Sequence, residues 1–281
     1  MSKGGKKLIL IVGPTASGKT DYSIELAQRY DSPIISCDSR QIYRELRIGT
    51  APPSNEQLLK VRHYFIHSHS IFDYYTAGRY EVEALALLEE LFTKHDTLIM
   101  VGGSGLYADA LCYGLDNFPT ADRELREKLT LRARTEGVDS LSEELLLIDP
   151  ESYHQIDTAN PQRVIRALEV SLSSGKKFSS FKKNEKKSRF FEIERLIIQR
   201  DRDELYERIN KRVDIMMESG LLNEAIPLYG CRTLHALKTV GYSELFDYMD
   251  GKCTLEEAVE LIKRNTRRYA KRQITWFKRI K

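Results

Sequence analysis

One stretch of eight residues constrains the fold more than any other part of the chain. Gly13-Pro14-Thr15-Ala16-Ser17-Gly18-Lys19-Thr20 has the spacing of a phosphate-binding loop, G-x-x-x-x-G-K-[ST]. The apolar run Leu8 to Val12 precedes it, and a helical pattern that contains Ile24 and Leu26 follows. This order of strand, glycine-rich loop and helix predicts an α/β protein with a pyrophosphate site at the start of its first helix.

The residue types of this loop fit such a ligand. Glycines let backbone N–H groups turn inward around an anion, and the helix N-terminus adds the positive end of its dipole. Lys19 supplies a charge for the terminal phosphate, and the hydroxyl of Thr20 is the candidate ligand for Mg²⁺. The loop therefore predicts that a diphosphate or nucleotide binds, but it does not say which reaction follows.

Composition excludes several other classes of protein. The chain has 281 residues, enough for one or two domains, and no apolar run approaches the length of a membrane span, so no membrane partner is expected. The basic N-terminus leads into the phosphate loop rather than into a signal peptide. Four cysteines are dispersed without a C-x-x-C pair, which argues against a zinc site or disulfide framework and predicts a cytoplasmic protein.

Charge is distributed unevenly along the chain. Residues 261–281 contain nine basic residues and no acidic one, whereas the rest carries 35 basic and 41 acidic residues. A basic end on an otherwise acidic chain predicts a polyanionic partner, with a solvated helix face as the alternative.

Two further strands are expected to end beside the phosphate loop. The run 32–37 ends at Asp38, and the carboxyl ends of parallel strands line the ligand crevice, so Asp38 is either a base facing the loop or a turn cap. The run Thr97 to Val101 leads into the second glycine turn, Gly102-Gly103-Ser104-Gly105. Hydrolytic P-loop enzymes carry a Mg²⁺-binding aspartate at this place, and its absence argues against an ordinary ATPase.

The middle of the chain has helical patterns without strands. Residues 121–134, 140–148 and 161–172 predict an all-helical insertion, residues 116–189, within an α/β core formed by 1–115 and 190–281. In the third of these helices, Asn160 is the expected N-cap. Arg163 and Arg166 are expected to share a face, while Val164, Leu168 and Leu172 turn inward.

Two arginines follow the strand pattern of residues 190–199. Arg208 and Arg212 are four residues apart on one face of a predicted helix. They either clamp a phosphate or pair with Glu204 and Asp214, and the sequence leaves both possibilities open.

Taken together, the motifs resemble those of bacterial tRNA dimethylallyltransferases (isopentenyl-tRNA transferases) along nearly the whole chain. The phosphate loop alone is shared with many kinases, but the combination is far more specific. Besides the loop, the matching segments are Asp38-Ser39-Arg40-Gln41-Ile42-Tyr43, Gly49-Thr50-Ala51, Gly102-Gly103-Ser104-Gly105-Leu106-Tyr107, Gln162-Arg163-Val164-Ile165-Arg166-Ala167-Leu168-Glu169, Val240-Gly241-Tyr242 and Ala270-Lys271-Arg272-Gln273-Ile274-Thr275-Trp276-Phe277. Ser104 stands where threonine is common, and Pro52 replaces a frequent lysine.

The resemblance implies a P-loop NTPase-like parallel sheet flanked by helices, and a reaction. The dimethylallyl group of dimethylallyl diphosphate moves to N6 of adenine 37 in tRNAs that read codons starting with U, and diphosphate leaves. Asp38 acts as general base, Thr15 and Lys19 stabilise the leaving group with Arg212 in preference to Arg208, and Thr20 holds Mg²⁺.

The resemblance also implies two partners, dimethylallyl diphosphate and the anticodon stem-loop of tRNA, bound by a monomer. The tRNA contacts carried over are Asp38, Ser39, Arg40, Gln41, Ser104, Arg126, Gln162, Arg163, Val164, Ile165 and Arg166. Three alternatives remain: a small-molecule P-loop kinase, an RNA-binding module without chemistry, and an adenylate isopentenyltransferase that prenylates free adenine nucleotides.

Overall fold

The computed structural model describes residues 5–120, 122–183 and 185–279. The chain divides into two compact units, one formed by residues 1–113 and 188–281 and the other by residues 114–187. The first is an α/β unit built on a parallel sheet, and the described residues of the second are helices and connections. The predicted α/β fold with an all-helical insertion is confirmed.

Five parallel strands form the sheet in the order β3-β2-β4-β1-β5. They are β1 (Lys7–Val12), β2 (Ile34–Ser36), β3 (His63–Tyr64), β4 (Thr97–Gly102) and β5 (Glu192–Ile197). From Leu8 onward β1 is buried, as expected for a strand in the interior of a sheet covered on both faces. Val12 pairs with Gly102 of β4, so the phosphate loop and the second glycine turn leave the sheet side by side.

Helices cover this sheet and form the second unit. In the α/β unit they are α1 (Lys19–Arg29), α2 (Asn55–Lys60), α3 (Ala77–Leu91) and α4 (Gly105–Tyr113) before the insertion. The insertion contains α5 (Arg123–Thr135), α6 (Val138–Ile148), α7 (Pro150–Gln155) and α8 (Pro161–Ser174). After β5 the α/β unit continues with α9 (Arg202–Glu218), α10 (Leu221–Ala225), α11 (Tyr242–Met249) and α12 (Leu255–Arg279).

Helix starts follow the capping signals in the sequence. Asn160 accepts the backbone N–H of Gln162 at the start of α8, as predicted. Ahead of α12, Thr254 and Glu257 exchange side-chain and backbone hydrogen bonds at 2.8 and 3.2 Å, the reciprocal pattern of a capping box. These bonds satisfy backbone donors that have no partner inside the helix.

Helix α8 lies at the centre of the insertion. Val164 and Leu168 are buried against α5 and α6, as predicted, together with Leu129, Leu141 and Leu145. The prediction that Leu172 turns inward is wrong, since its side chain is 43% exposed. The segment after α8 folds back to Ser171, the residue before Leu172, where Phe178 donates its backbone N–H to Ser171 Oγ.

Candidate active site

A cleft of about 1050 Å³ opens in the α/β unit at the carboxyl ends of β2 and β4 and around the phosphate loop. Eight basic and three acidic side chains line it, which favours an anionic ligand. The sequence segments that meet there are 15–21, 38–41, 47–54 and 101–103, together with parts of α9 and α12. Segments far apart in the chain thus share one surface, as the rule for open α/β sheets predicts.

Glycines of the phosphate loop stand where a side chain has no room. A Cβ on Gly13 would lie 2.6 Å from the carbonyl oxygen of Ile198, just beyond β5. Gly18 is the N-cap of α1 in the left-handed region, with φ of 93°. Among the described residues, the buried Ser17 Oγ has no hydrogen-bond partner. An unpaired buried hydroxyl is costly, so this loop fits a site that an anion completes.

Lys19 lies over this loop. Its Nζ donates to the carbonyl oxygen of Pro14 at 2.6 Å. Burial, and then the positive charge of Arg212, lower the Lys19 pKa to about 8. An ammonium group in such a position gains strongly from a bound anion.

Helix α9 brings two arginines to the same loop. Arg208 Nε donates to the carbonyl oxygen of Ala16 at 2.8 Å, and Arg212 donates to Thr15 Oγ1 at 3.2 Å. Burial, and then the neighbouring Arg208, lower the pKa of Arg212. Arg212 is therefore the cation held deeper in the cleft.

The alternative partners of these arginines are occupied elsewhere. Glu204 pairs with Arg200 at 2.6 Å, and Asp214 pairs with Lys263 at 2.8 Å. Of the two possibilities that the sequence left open, the structure therefore has both arginines directed at the phosphate loop.

Asp38 occupies the end of β2 on the cleft wall. Its Oδ1 accepts the backbone N–H groups of Arg40 at 2.8 Å and Gln41 at 3.2 Å. Oδ2 has no hydrogen-bond partner among the described residues. Asp38 thus caps its own turn with one oxygen and leaves the other free for a ligand, so the two roles considered from sequence are compatible.

The second glycine turn joins the Asp38 turn to the last helix. Ser104 Oγ accepts the N–H of Ser39 at 2.9 Å and also bonds its hydroxyl. A Cβ on Gly103 would lie 2.2 Å from Gln273 Nε2 of α12, and one on Gly105 would lie 2.3 Å from the Trp276 ring. Glycines at positions 103 and 105 therefore leave the space that the Gln273 and Trp276 side chains of α12 occupy.

Glu224, which lies outside the sequence motifs, holds a further part of the wall. Its carboxylate accepts the N–H groups of Arg47, Ile48 and Gly49 at 2.8 to 3.0 Å, and the hydroxyl of Tyr242 at 2.5 Å. The only sequence signal was the presence of Gly49 and Tyr242 in two separate family motifs, and a Cβ on Gly49 would meet the Tyr242 ring at 2.7 Å.

Gln41 ties the same wall to the Asp38 turn. Its Nε2 donates to the carbonyl oxygens of Thr50 at 3.1 Å and Ala51 at 2.9 Å. Its side-chain amide hydrogens are therefore engaged within the protein, while its backbone N–H is held by Asp38.

In the helical unit, the predicted tRNA contacts differ in how far their side chains are exposed. Arg126 and Arg166 flank the fully buried carboxylate of Glu169 at 3.0 and 3.1 Å. Gln162 accepts from Arg126 at 3.4 Å, and Arg163 is exposed. The side chains of Val164 and Ile165 are 0% and 1% exposed in the hydrophobic core, where they hold α8 in place, and their contact with tRNA stays a prediction.

Basic residues of the C-terminal segment differ in whether they are already paired within the protein. Lys263 is tied to Asp214 and Glu260 at 2.8 and 3.0 Å. Arg268 and Arg272 are exposed and line the cleft. Lys281, counted in the basic end, lies outside the described residues.

Within the described ranges, no three histidine, cysteine, aspartate or glutamate side chains are grouped as metal ligands. None of the helices there combines the length and the apolar character that crossing a membrane requires.

Comparison with known proteins agrees with this architecture. Residues 41–280 match the family described as IPP transferase. The tRNA dimethylallyltransferase 1 of Phocaeicola vulgatus is 50% identical over 274 residues, which cover 98% of this chain and 91% of the relative. The tRNA dimethylallyltransferase 1 of Bacteroides fragilis is also 50% identical, with the same coverage.

Solved structures give the same result. The crystal structure of the full-length tRNA isopentenylpyrophosphate transferase of Bacillus halodurans is 38% identical, with a TM-score of 0.69, and the match covers 98% of this chain and 88% of that one. A eukaryotic dimethylallyltransferase acting on tRNA is 28% identical, with a TM-score of 0.79 and coverage of 96% and 69%. The chain therefore belongs to the IPP transferase family, together with these tRNA dimethylallyltransferases.

Proposed function

We propose that this chain transfers the dimethylallyl group of dimethylallyl diphosphate to N6 of adenine 37 in tRNAs that read codons starting with U. The observation that carries the proposal is the cleft in which a phosphate loop faces Asp38 while β4 has no acidic residue. Such a site suits a diphosphate that leaves more than a nucleotide that is hydrolysed. The names of the relatives support both tRNA as a substrate and the dimethylallyl group as the cargo.

The donor diphosphate is held by the phosphate loop, residues 13–20. As the C–O bond to the dimethylallyl group breaks, negative charge develops on the bridging oxygen. Lys19 and Arg212 supply positive charge beside the loop, and the Thr15 hydroxyl is fixed by Arg212. Preorganised donors of this kind stabilise the transition state more than the ground state.

The acceptor amine approaches from the Asp38 side. An exocyclic adenine amine is a weak nucleophile, so removal of its proton as the new C–N bond forms gives Asp38 the role of general base. Oδ2 is the oxygen for this step, because Oδ1 holds the backbone of the turn. Ser39 and Arg40 line the cleft next to Asp38, Ser104 bonds the Ser39 hydroxyl, and these three residues contact the extruded base or its neighbours.

The residues present fit Mg²⁺ as the cofactor. Mg²⁺ prefers oxygen ligands and is commonly held by one or two protein groups together with substrate phosphates and water. The Thr20 hydroxyl at the mouth of the loop is such a group, and it lines the cleft. When bound, the ion supplies charge neutralisation on the diphosphate.

Arginines of both units bind the RNA backbone. In the cleft these are Arg268 and Arg272 of α12, and in the helical unit they are Arg126, Arg163 and Arg166. Such contacts with phosphates contribute affinity and make it depend on salt, while base selection lies with the Asp38 turn. The enzyme acts as a monomer in the cytoplasm.

Product formation tests the proposal directly. The protein is incubated with Mg²⁺, dimethylallyl diphosphate and an anticodon stem-loop that has adenine at position 37, and the RNA is analysed by mass spectrometry. We expect one added C5 unit on that adenine, and none on a matched RNA with guanine at position 37. An adduct on free AMP instead would identify an adenylate isopentenyltransferase, and ATP hydrolysis without any adduct would indicate a kinase-like enzyme.

A further inference from the structure

Gln273 connects the two glycine turns of the cleft from the buried face of α12. Its Oε1 accepts the backbone N–H of Thr15 at 2.8 Å, and its Nε2 donates to the carbonyl oxygen of Gly103 at 2.9 Å. The side chain is only 5% exposed. One amide therefore joins the loop that leaves β1 to the turn that leaves β4, across 258 positions of sequence from Thr15.

The bond to Thr15 changes what the phosphate loop offers to a ligand. Backbone N–H groups of such loops normally point at the anion. Because Gln273 takes the N–H of Thr15, this residue presents its side-chain hydroxyl to the cleft instead. Arg212 donates to that hydroxyl at 3.2 Å, so Thr15 is held from two directions.

The surroundings of Gln273 hold its side chain in a single place. A Cβ on Gly103 would lie 2.2 Å from its Nε2, so a side chain at position 103 would displace the amide from these hydrogen bonds. One turn further along α12, Trp276 Nε1 donates to Asp109 Oδ2 at 2.8 Å, which holds the helix in register with α4. Positioning of this quality is what transition-state stabilisation requires.

We propose that Gln273 is a positioning residue that sets the direction of Thr15, and thereby aims the Thr15 hydroxyl, together with Arg212, at the oxygen from which the transferred group departs. The inference rests on the proposed function, because it assumes that a diphosphate leaves from this loop. It adds a residue of α12 to the donor side of the reaction, where the loop and α9 supply the other groups.

A double-mutant cycle with Thr15 tests this role. Gln273→Met keeps a similar shape but removes both hydrogen bonds, and Thr15→Val removes the hydroxyl at nearly constant shape. We expect Gln273→Met to lower the single-turnover rate at saturating substrates by about tenfold or more, which corresponds to a loss of about 1.4 kcal/mol of transition-state stabilisation. In the Thr15→Val background the same change should lower the rate less than about twofold, since interacting residues are not additive.

Binding measurements separate positioning from general loosening. The affinity for inorganic diphosphate, measured by calorimetry, should change less than about threefold in Gln273→Met, because the other loop donors remain. Thr275→Val, on the exposed face of the same helix, is the matched control and should leave both rate and affinity unchanged. Equal effects of Gln273→Met with and without the Thr15 hydroxyl, or parallel losses of rate and affinity, would overturn the inference.

A second variant covers failure of the first to fold. Gln273→Glu can still accept the Thr15 N–H but sets a carboxylate oxygen against the carbonyl of Gly103. We expect its rate to lie closer to that of the wild type than to that of Thr15→Val, and a rate at or below that of Thr15→Val would contradict a role through Thr15. If the wild type bound diphosphate but made no prenylated RNA, the proposed function would fail. NMR would still test the hydrogen bond: the Thr15 amide hydrogen should exchange slowly with solvent in the wild type and faster in Gln273→Met.

Discussion

The ionisation of Lys19 leads to a prediction whose magnitude follows from the site. With a pKa of about 8 before an anion binds, Lys19 is mostly charged at pH 7, and at pH 9 about nine tenths of it is neutral. A bound diphosphate favours the charged form and raises this pKa again. The affinity for the anion is therefore highest below pH 7 and decreases as the pH rises through 8.

The expected loss from Lys19 alone is about tenfold between pH 7 and pH 9, which corresponds to about 1.4 kcal/mol of binding free energy. Calorimetric titration with inorganic diphosphate over this range measures it. Diphosphate itself titrates, so Lys19→Arg is the matched control, since a guanidinium group keeps its charge throughout. The ratio of the wild-type and variant dissociation constants isolates the lysine.

The protons taken up on binding give an independent measurement. At pH 9 the wild type should take up close to one proton more than Lys19→Arg, as seen by titrating in two buffers that differ in ionisation enthalpy. Because the charge of Arg212 is the second cause of the low Lys19 pKa, Arg212→Gln should move the transition to higher pH. A wild-type to variant ratio that stays constant from pH 7 to pH 9 would refute the reasoning and mean that Lys19 is far better solvated than its burial indicates.

Three further predictions concern the rest of the site. Asp38→Asn keeps the Oδ1 cap on its turn but removes the base. The single-turnover transfer rate should therefore fall by about 10² to 10⁴, while the affinity for RNA stays near that of the wild type. An unchanged rate would show that Asp38 is not the base. Glu224→Gln places an amide N–H group against the backbone N–H groups around Gly49. It should lower the free energy of unfolding by about 1 to 3 kcal/mol in denaturant titrations. Unaltered stability would show that water replaces these hydrogen bonds. Arg268→Ala should weaken binding of the anticodon stem-loop and flatten its salt dependence, while Lys263→Ala, whose ammonium is already paired within the protein, should do so much less; the reverse order would move the RNA path away from the cleft.

Some residues were assigned correctly from sequence because local chemistry decides their structure. The phosphate loop needs only its glycines, its lysine and the flanking strand and helix, all within one short segment. The cap at Asn160 likewise depends on a residue two positions away. For the same reason the helical insertion was expected from its periodicity alone.

Other residues could not be assigned, because their partners are remote in sequence. Arg208 and Arg212 had acidic neighbours in their own helix, yet both reach the phosphate loop, almost 200 positions away. Lys263 belongs to the basic end for which a polyanionic partner was predicted, but its ammonium is held by Asp214 of a different helix. A count of charges along the chain does not reveal which of them are already paired.

By itself, the sequence determined that a loop with the phosphate-binding spacing opens an α/β sheet, that β4 contains no acidic residue, and that the chain resembles one family of tRNA-modifying enzymes. Only the tertiary structure decided which side chains converge on that loop. Gln273 takes one loop amide, and Glu224 holds a wall of the cleft. The physical reason is range: backbone conformation and capping depend on neighbours along the chain, whereas hydrogen bonds that aim a catalytic group depend on elements brought together by packing of the core.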